Sequence, residues 1–263
     1  MEKYNITLVV FTWLTQASVG LIILRSVYLR ISSGTDIKII RTGTYTLLTA
    51  FVLLVTGLLF SFGHLHYPGH AYNAINNTGN SWMSREILAE IIFLFIVLLS
   101  YIINRFGIKI IPGLILEVLA ILSGMILIYF MIRTYMLPSL PELNHPSFPL
   151  SFILTPLIAG AAILYLFTRK TEPGMALKFK ILFSILFIFS FVNHIIFLSF
   201  HGKLLAFKPV TLVYLATSII SLPSLYATLK NKNVTSDVIF LNLALICDFL
   251  NRVYAFTYTN PAL

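Results

Sequence analysis

The residues most able to do chemistry lie in one short stretch of the sequence. His64, His66 and His70, three of the six histidines, fall within seven residues, and the carboxylate of Glu86 follows them. Histidine, with an unperturbed pKa of about 6.5, accepts a hydrogen bond and then a proton near neutral pH. It is also a frequent ligand of zinc and of haem iron. These residues could therefore bind a metal, hold a haem or take protons from a substrate.

The surroundings of the histidines disfavour metal and haem. Pro68 and Gly69 interrupt the cluster, whereas a metal site needs rigidly held ligands. Haem b in a helical bundle needs facing histidines, and His64 with His194 offers one outer pair but no inner pair. Cys247 is the only cysteine, which excludes a cysteine-ligated iron–sulfur cluster within this polypeptide. We expect no metal, haem or cluster here.

The elements that position these residues are predicted to be membrane-spanning helices. Of the 263 residues, 58% are hydrophobic and only 10% are charged, whereas soluble domains carry about 25% charged residues. The apolar runs are continuous rather than alternating, which predicts helices. A span needs about 20 residues. The sequence predicts one all-α integral membrane domain, a bundle of eight transmembrane helices at 7–29, 44–63, 86–104, 110–132, 150–168, 180–200, 209–229 and 237–258.

The basic residues indicate the orientation of this bundle. A net charge of +9 would suggest nucleic acid for a soluble protein, but lysine and arginine mark the cytoplasmic loops of membrane proteins. With the amino terminus outside, twelve of the 18 basic residues lie on the cytoplasmic side and six on the other. Both termini and all six histidines are then on the periplasmic side of a bacterial cytoplasmic membrane. We expect a functional periplasmic face and no nucleic-acid partner.

Ionisable residues inside the spans need a partner or a role because a charge in the membrane is unfavourable. Glu86 and Glu90 lie one turn apart near the outer end of the third span. Asp248 and Arg252 have the same spacing in the last span, which favours a structural salt bridge over substrate contact. Glu117 lies towards the inner end of the fourth span. We expect it to pair with a neighbouring lysine, with a proton path as the alternative.

The histidine and the carboxylate fit the oxidation of a lipid-soluble carrier of two electrons and two protons. A quinol head group lies at the membrane edge, and its two hydroxyls lose protons as the electrons leave. His64 lies at the outer end of the second helix, directly after the span, and Glu86 begins the third span, so that one loop joins them and both can reach one head group. A histidine and a carboxylate can each accept one of the two protons.

Several segments, spread over the whole sequence, show a family resemblance. Residues 64–86 follow a pattern close to HLGxPxRAxNxxxNxxxSxLSxE, with matches at His64, Leu65, Pro68, Ala71, Asn73, Ser84 and Glu86. Further matches are Phe11, Thr12, Gln16 and Gly20 in the first span, Arg133, Tyr135 and Pro141 after the fourth, and Asp248 with Arg252 for an acid–arginine pair in the last. In these motifs and their order the protein resembles the membrane anchor subunit of anaerobic dimethyl sulfoxide reductase, the DmsC-like family.

The resemblance implies a function and partners. Such subunits anchor a periplasmic catalytic subunit that carries molybdopterin and an electron-transfer subunit that carries iron–sulfur clusters. They oxidise menaquinol near the outer face, hold no haem, and have eight spans with both termini periplasmic. The quinol-site histidine and glutamate of the family fall on His64 and Glu86. The other matching polar residues are implied as further quinol-pocket residues: Arg133, Tyr135, Asp248 and Arg252.

Two departures and three alternatives accompany this interpretation. His66 and His70 replace a glycine and an arginine of the family pattern, and we interpret them as local variation around the pocket. Alternatives are the anchor of a polysulfide- or nitrite-type quinone-linked reductase, an anchor without a quinol site, and a secondary transporter. The transporter is disfavoured because the sequence shows no internal repeat and its ionisable residues gather at the outer edge.

Overall fold

The structure is a computed structural model that describes residues 6–32, 36–62, 75–108, 110–136, 144–200, 241–246, 248–250 and 253. Within these ranges the protein forms six long helices and no strand: α1 Ile6–Ile31, α2 Ile37–Phe62, α3 Trp82–Phe106, α4 Gly113–Tyr135, α5 Ser147–Thr168 and α6 Pro173–Phe200. Each is long and apolar enough to cross a membrane. The all-helical fold is confirmed, and each of the first six predicted spans overlaps one of these helices, although α2, α3, α5 and α6 begin earlier than predicted and α4 begins later.

The start of α2 was predicted too late. The helix begins at Ile37, well before the predicted start at residue 44. The Asp36 side chain accepts a hydrogen bond of 2.9 Å from the backbone N–H of Lys38, which caps the first turn. Hydropathy missed this turn because Lys38 and Arg41 lie within it.

The start of α3 also lies earlier than predicted, which changes the setting of Glu86. The helix begins at Trp82, and the side chain of Ser81 caps it by accepting a hydrogen bond of 3.3 Å from the backbone N–H of Ser84. Glu86 therefore lies inside a formed helix and not at the edge of a loop. Its side chain has a defined direction because the backbone around it is helical.

The last two predicted spans fall largely outside the described residues. Span 209–229 lies there entirely, and of span 237–258 the structure describes 241–246, 248–250 and 253, all of them helical. A total of eight helices and the positions of the two termini stay predictions.

α1 is the helix around which the described part of the bundle packs. It contacts α2 and α5 most closely and also contacts α4, while α3 pairs with α4 and α6 pairs with α5. α1 and α5 have the largest buried share among the six helices. The buried polar side chains of α1 include Thr12, Thr15, Gln16 and Ser18, each fully buried. Buried polar side chains need hydrogen-bond partners, so these side chains of α1 are expected to bond to α1 itself or to neighbouring helices.

The α1–α5 contact brings two helix backbones together. A Cβ atom added to Gly20 of α1 would lie 1.6 Å from the carbonyl oxygen of Pro156 in α5. A Cβ atom added to Gly160 of α5 would lie 2.4 Å from the carbonyl carbon of Gly20. Lipid chains are as apolar as the helices, so helices in membranes associate through close packing at small residues. These two glycines set the distance between α1 and α5.

The carboxyl-terminal end of α1 carries a polar network. The Tyr28 hydroxyl donates a hydrogen bond to Glu172, and the Ser32 hydroxyl donates to the same carboxylate at 3.2 Å. Arg25 is buried, donates from Nε to the carbonyl of Gly43 at 2.8 Å, and lies within electrostatic range of Glu117. The charge near Glu117 is thus an arginine of α1, where we had expected a lysine.

Candidate functional site

Two buried carboxyl groups lie together in α3. Glu86 and Glu90 are each only 2% exposed. Their spacing of one helical turn puts both on the same face, which is directed into the bundle. Ionisable side chains in such a position are rare in membrane helices and usually serve a substrate, an ion or a proton.

The Glu86 carboxyl has unused hydrogen-bonding capacity. Both of its oxygens are buried and lack a hydrogen-bond partner among the described residues. The Thr134 hydroxyl of α4 lies beside it. That hydroxyl, however, donates a bond of 2.9 Å to the carbonyl of Phe130. Because buried polar groups in folded proteins nearly always have partners, this carboxyl is placed to receive a donor from a bound molecule or from another part of the protein.

The Glu90 carboxyl is held on one side only. Its Oε1 atom accepts a hydrogen bond of 3.0 Å from the Thr15 hydroxyl of α1. Its Oε2 atom is buried and has no hydrogen-bond partner among the described residues. Next to Thr15 on α1, the Gln16 amide contacts the sulfur of Met131 in α4 at 4.0 Å. Side chains of α1, α3 and α4 therefore converge around the two carboxyl groups. The sequence did not indicate that Thr15 donates a hydrogen bond to Glu90, because threonine is common in apolar helices.

Arg133 and Tyr135 lie near this site but point elsewhere. The Arg133 guanidinium lies over the Trp82 ring, with its carbon 4.8 Å from the ring centroid, and Arg85 lies over the same ring at 4.4 Å. Arg133 is exposed and forms no ion pair within the described residues. The Tyr135 ring packs on Phe152 of α5 at 6.0 Å.

Asp248 has two partners that the sequence did not indicate. Its Oδ2 atom accepts a hydrogen bond of 3.0 Å from the Trp13 indole, and its Oδ1 atom accepts one of 3.0 Å from the Thr155 hydroxyl. The side chain is only 4% exposed. Asp248 therefore joins the last helical segment to α1 and α5. Arg252 lies outside the described residues, so its salt bridge with Asp248 stays a prediction.

We expect Thr155→Val to destabilise the protein. The change keeps the shape of the side chain but removes the hydrogen bond from Thr155 to the buried Asp248 carboxylate, at a cost of roughly 1–3 kcal/mol. The apparent midpoint of thermal unfolding, measured on the purified protein in detergent, should fall. Thr49→Val is the matched control, since the Thr49 hydroxyl bonds the carbonyl of Tyr45 within its own helix. Equal midpoints for the two variants would contradict a stabilising role for the Asp248 contacts.

Of the six histidines the structure describes His145 and His194, while the other four, His201 among them, lie outside the described residues. His64, His66 and His70 lie in the segment 63–74, outside the described residues, so the approach of His64 to Glu86 stays a prediction. His194 of α6 is buried and stacks on Phe197 at 6.4 Å, and His145 meets the same ring edge-on at 6.4 Å. This aromatic cluster belongs to α6 and the start of α5. Among the described residues, no group of three or more histidine, cysteine or acidic side chains is arranged to hold a metal ion.

The fold and the site define a class of protein: a multi-pass helical membrane protein with a buried acidic pair near one end of its bundle. The chain belongs to the family described as DMSO reductase anchor subunit (DmsC), whose family model matches residues 1–254. The family inferred from the sequence motifs is thereby confirmed.

Two relatives have names that agree with this family. The C subunit of the anaerobic dimethyl sulfoxide reductase of Haemophilus influenzae is 30% identical over 166 residues, which is 62% of this protein and 58% of the relative. The anaerobic dimethyl sulfoxide reductase subunit YnfH of Escherichia coli is 29% identical over 155 residues, 58% of this protein and 54% of the relative. The match thus covers a little over half the length of these relatives. No solved structure matches the sequence.

Proposed function

We propose that this protein is the membrane anchor and menaquinol-oxidising subunit of a molybdopterin-dependent reductase of the dimethyl sulfoxide reductase type. Family membership supports the anchoring role. The observation that carries the quinol site is the Glu86 carboxyl, which is buried at the end of the bundle with no hydrogen-bond partner among the described residues. A quinol hydroxyl is a donor of the kind that this group lacks.

The proposed reaction assigns each proton and each electron. Menaquinol binds with one hydroxyl on Glu86 and the other on His64. As it is oxidised, its two protons pass to these side chains, and its two electrons pass singly to an iron–sulfur cluster of the partner subunit. Glu90 lies one turn deeper and is bonded to Thr15, which places a second carboxyl within reach of the proton on Glu86. The protons are released on the same side of the membrane on which the quinol is oxidised.

The remaining pocket residues receive different roles in this proposal. Arg133 borders the pocket, because it stacks on Trp82, one turn before Glu86 in α3. Tyr135, packed on Phe152, closes the side towards α5. Asp248, bonded to Trp13 and Thr155, acts with Arg252 to position the last helix rather than to contact the head group.

The partners and the location follow from the same proposal. An iron–sulfur electron-transfer subunit docks at the end of the bundle that holds Glu86, and a molybdopterin catalytic subunit docks on that subunit. The protein lies in the bacterial cytoplasmic membrane, with both termini and the Glu86 end on the periplasmic side. The basic residues of the loops support this orientation.

Purification of the tagged protein in mild detergent tests the proposed function. We expect two larger water-soluble subunits to co-purify, one with iron–sulfur absorption and one with molybdopterin fluorescence. The isolated complex should oxidise a reduced menaquinone analogue and reduce a sulfoxide. Recovery of the anchor alone from cells that make all three subunits would contradict the anchoring role. A complex that accepts artificial donors but no quinol would contradict only the quinol site.

A further inference from the structure

The α3–α4 pair has a groove on its outer surface. The groove has a volume of about 350 Å³. Arg85 lies at one end of it, and the rest of its lining is Leu88, Ala89, Ile92, Ser123, Ile126 and Phe130. Ile92 and Ile126 are 46% and 50% exposed, so the groove opens to the surroundings of the bundle. In a membrane these surroundings are lipid chains.

Two guanidinium groups lie over one tryptophan ring near the Arg85 end of this groove. The Arg85 and Arg133 guanidinium carbons lie 4.4 Å and 4.8 Å from the centroid of the same Trp82 ring. Arg85 is further held by two hydrogen bonds, one of 2.7 Å from Nε to the carbonyl of Thr78 and one from Nη2 to the carbonyl of Gly79. Neither arginine forms an ion pair with a carboxylate in the described part of the protein. A guanidinium has five N–H donors, so both side chains keep donors for an anion.

The nearest carboxylate in the sequence does not neutralise this pair. Glu86 follows Arg85 directly, but successive residues of a helix point about 100° apart. Glu86 is 2% exposed inside the bundle, whereas Arg85 faces the groove. Among the described residues, the groove is therefore an aliphatic channel that has Arg85 in its lining, and the Arg133 guanidinium lies over the same Trp82 ring as that of Arg85.

We propose that this groove binds an anionic glycerophospholipid. One acyl chain lies along Leu88, Ile92 and Ile126, and the phosphate group lies at Arg85 and Arg133. Arginine binds phosphate oxygens through paired N–H groups, and tryptophan is favoured at the level of lipid head groups. A quinol fits this groove less well because its head group carries no charge to balance two guanidinium groups. The bound lipid holds the outer ends of α3 and α4 together beside the acidic pair.

Lipid retention by the purified complex tests this proposal. We expect mass spectrometry to detect anionic phospholipid that survives detergent washing. After delipidation, added dioleoyl phosphatidylglycerol should raise the unfolding midpoint, and dioleoyl phosphatidylcholine should not. The double variant Arg85→Gln/Arg133→Gln should need at least about tenfold more phosphatidylglycerol for the same rise in the unfolding midpoint. The reason is that each basic group at a membrane surface contributes severalfold to anionic lipid binding.

Two further variants separate the two parts of the site. Arg41→Gln is the matched control. Arg41 also lies over an aromatic ring, that of Tyr45 at 5.5 Å, but near the start of α2. This variant should respond to phosphatidylglycerol as the wild type does. Ile126→Trp fills the groove at a half-exposed position and should lower lipid retention with both arginines intact. An equal response to the two lipids, or full retention in the double arginine variant, would overturn the proposal. So would displacement of the retained phospholipid by a menaquinone analogue at equal concentration.

Discussion

Glu86→Gln is expected to lower menaquinol-dependent turnover of the assembled reductase by at least roughly 100-fold, the usual contribution of a general base. Glutamine has nearly the shape of glutamate, so the packing of α3 should be unchanged. An amide, however, cannot take a proton from a quinol hydroxyl. Turnover with an artificial electron donor that reduces the iron–sulfur subunit directly should stay at the wild-type level. Both rates are measured on the same preparation.

The controls for this experiment lie in the same protein. His64→Gln should give the same separation between quinol and artificial donor, since His64 is assigned the other hydroxyl. Glu172→Gln changes a carboxylate that is bonded to Tyr28 and Ser32 at the opposite end of α1, and should leave both rates near the wild type. Wild-type quinol turnover in both Glu86→Gln and His64→Gln would show that the site assignment is wrong.

Gly160→Leu is expected to prevent the protein from accumulating in folded form. Even a Cβ atom at this position would lie 2.4 Å from the backbone of Gly20, and leucine adds three further carbons. Since backbone cannot move aside as a flexible side chain can, α1 and α5 must separate. The amount of monodisperse protein extracted from membranes, measured by size-exclusion chromatography of a fluorescent fusion, should fall to near background.

A graded series makes this prediction sharper. Gly160→Ala should destabilise the protein less than Gly160→Leu, but still by roughly 3 kcal/mol or more, the upper end of the usual range for overpacking, because its Cβ atom meets backbone. Gly20→Ala should disrupt the same contact. Because the two glycines touch, the loss of unfolding free energy in the double alanine variant should differ from the sum of the losses in the two single variants. Gly174→Leu is the control, because an added Cβ there meets nothing within 4 Å. A Gly160→Leu variant that folds as well as Gly174→Leu would contradict the close α1–α5 packing.

The differences between prediction and structure have local physical causes. Hydropathy located the first six helices because each contains a long apolar run. It placed the starts of α2 and α3 too late, since capping by Asp36 and Ser81 extends a helix through polar residues that a hydropathy window excludes. The pairing of Asp248 with Arg252 stays a prediction, and Asp248 also accepts hydrogen bonds from Trp13 and Thr155, which are far away in sequence. Spacing arguments find partners on the same helix and miss those on other helices.

By itself the sequence determined the class of protein, the family and the presence of acidic residues inside an apolar helix. These properties depend on composition and short motifs, which can be read without knowing which helices touch. Only the tertiary structure decided that Glu90 is held by Thr15 and that the Glu86 oxygens have no partner among the described residues. Only it showed that α1 and α5 meet at two glycines, and that Arg85 and Arg133 share one tryptophan. The reason is that the contacts of Thr15 with Glu90, of Gly20 with Gly160 and of Arg133 with Trp82 join residues on different helices, and their distances depend on how the helices pack.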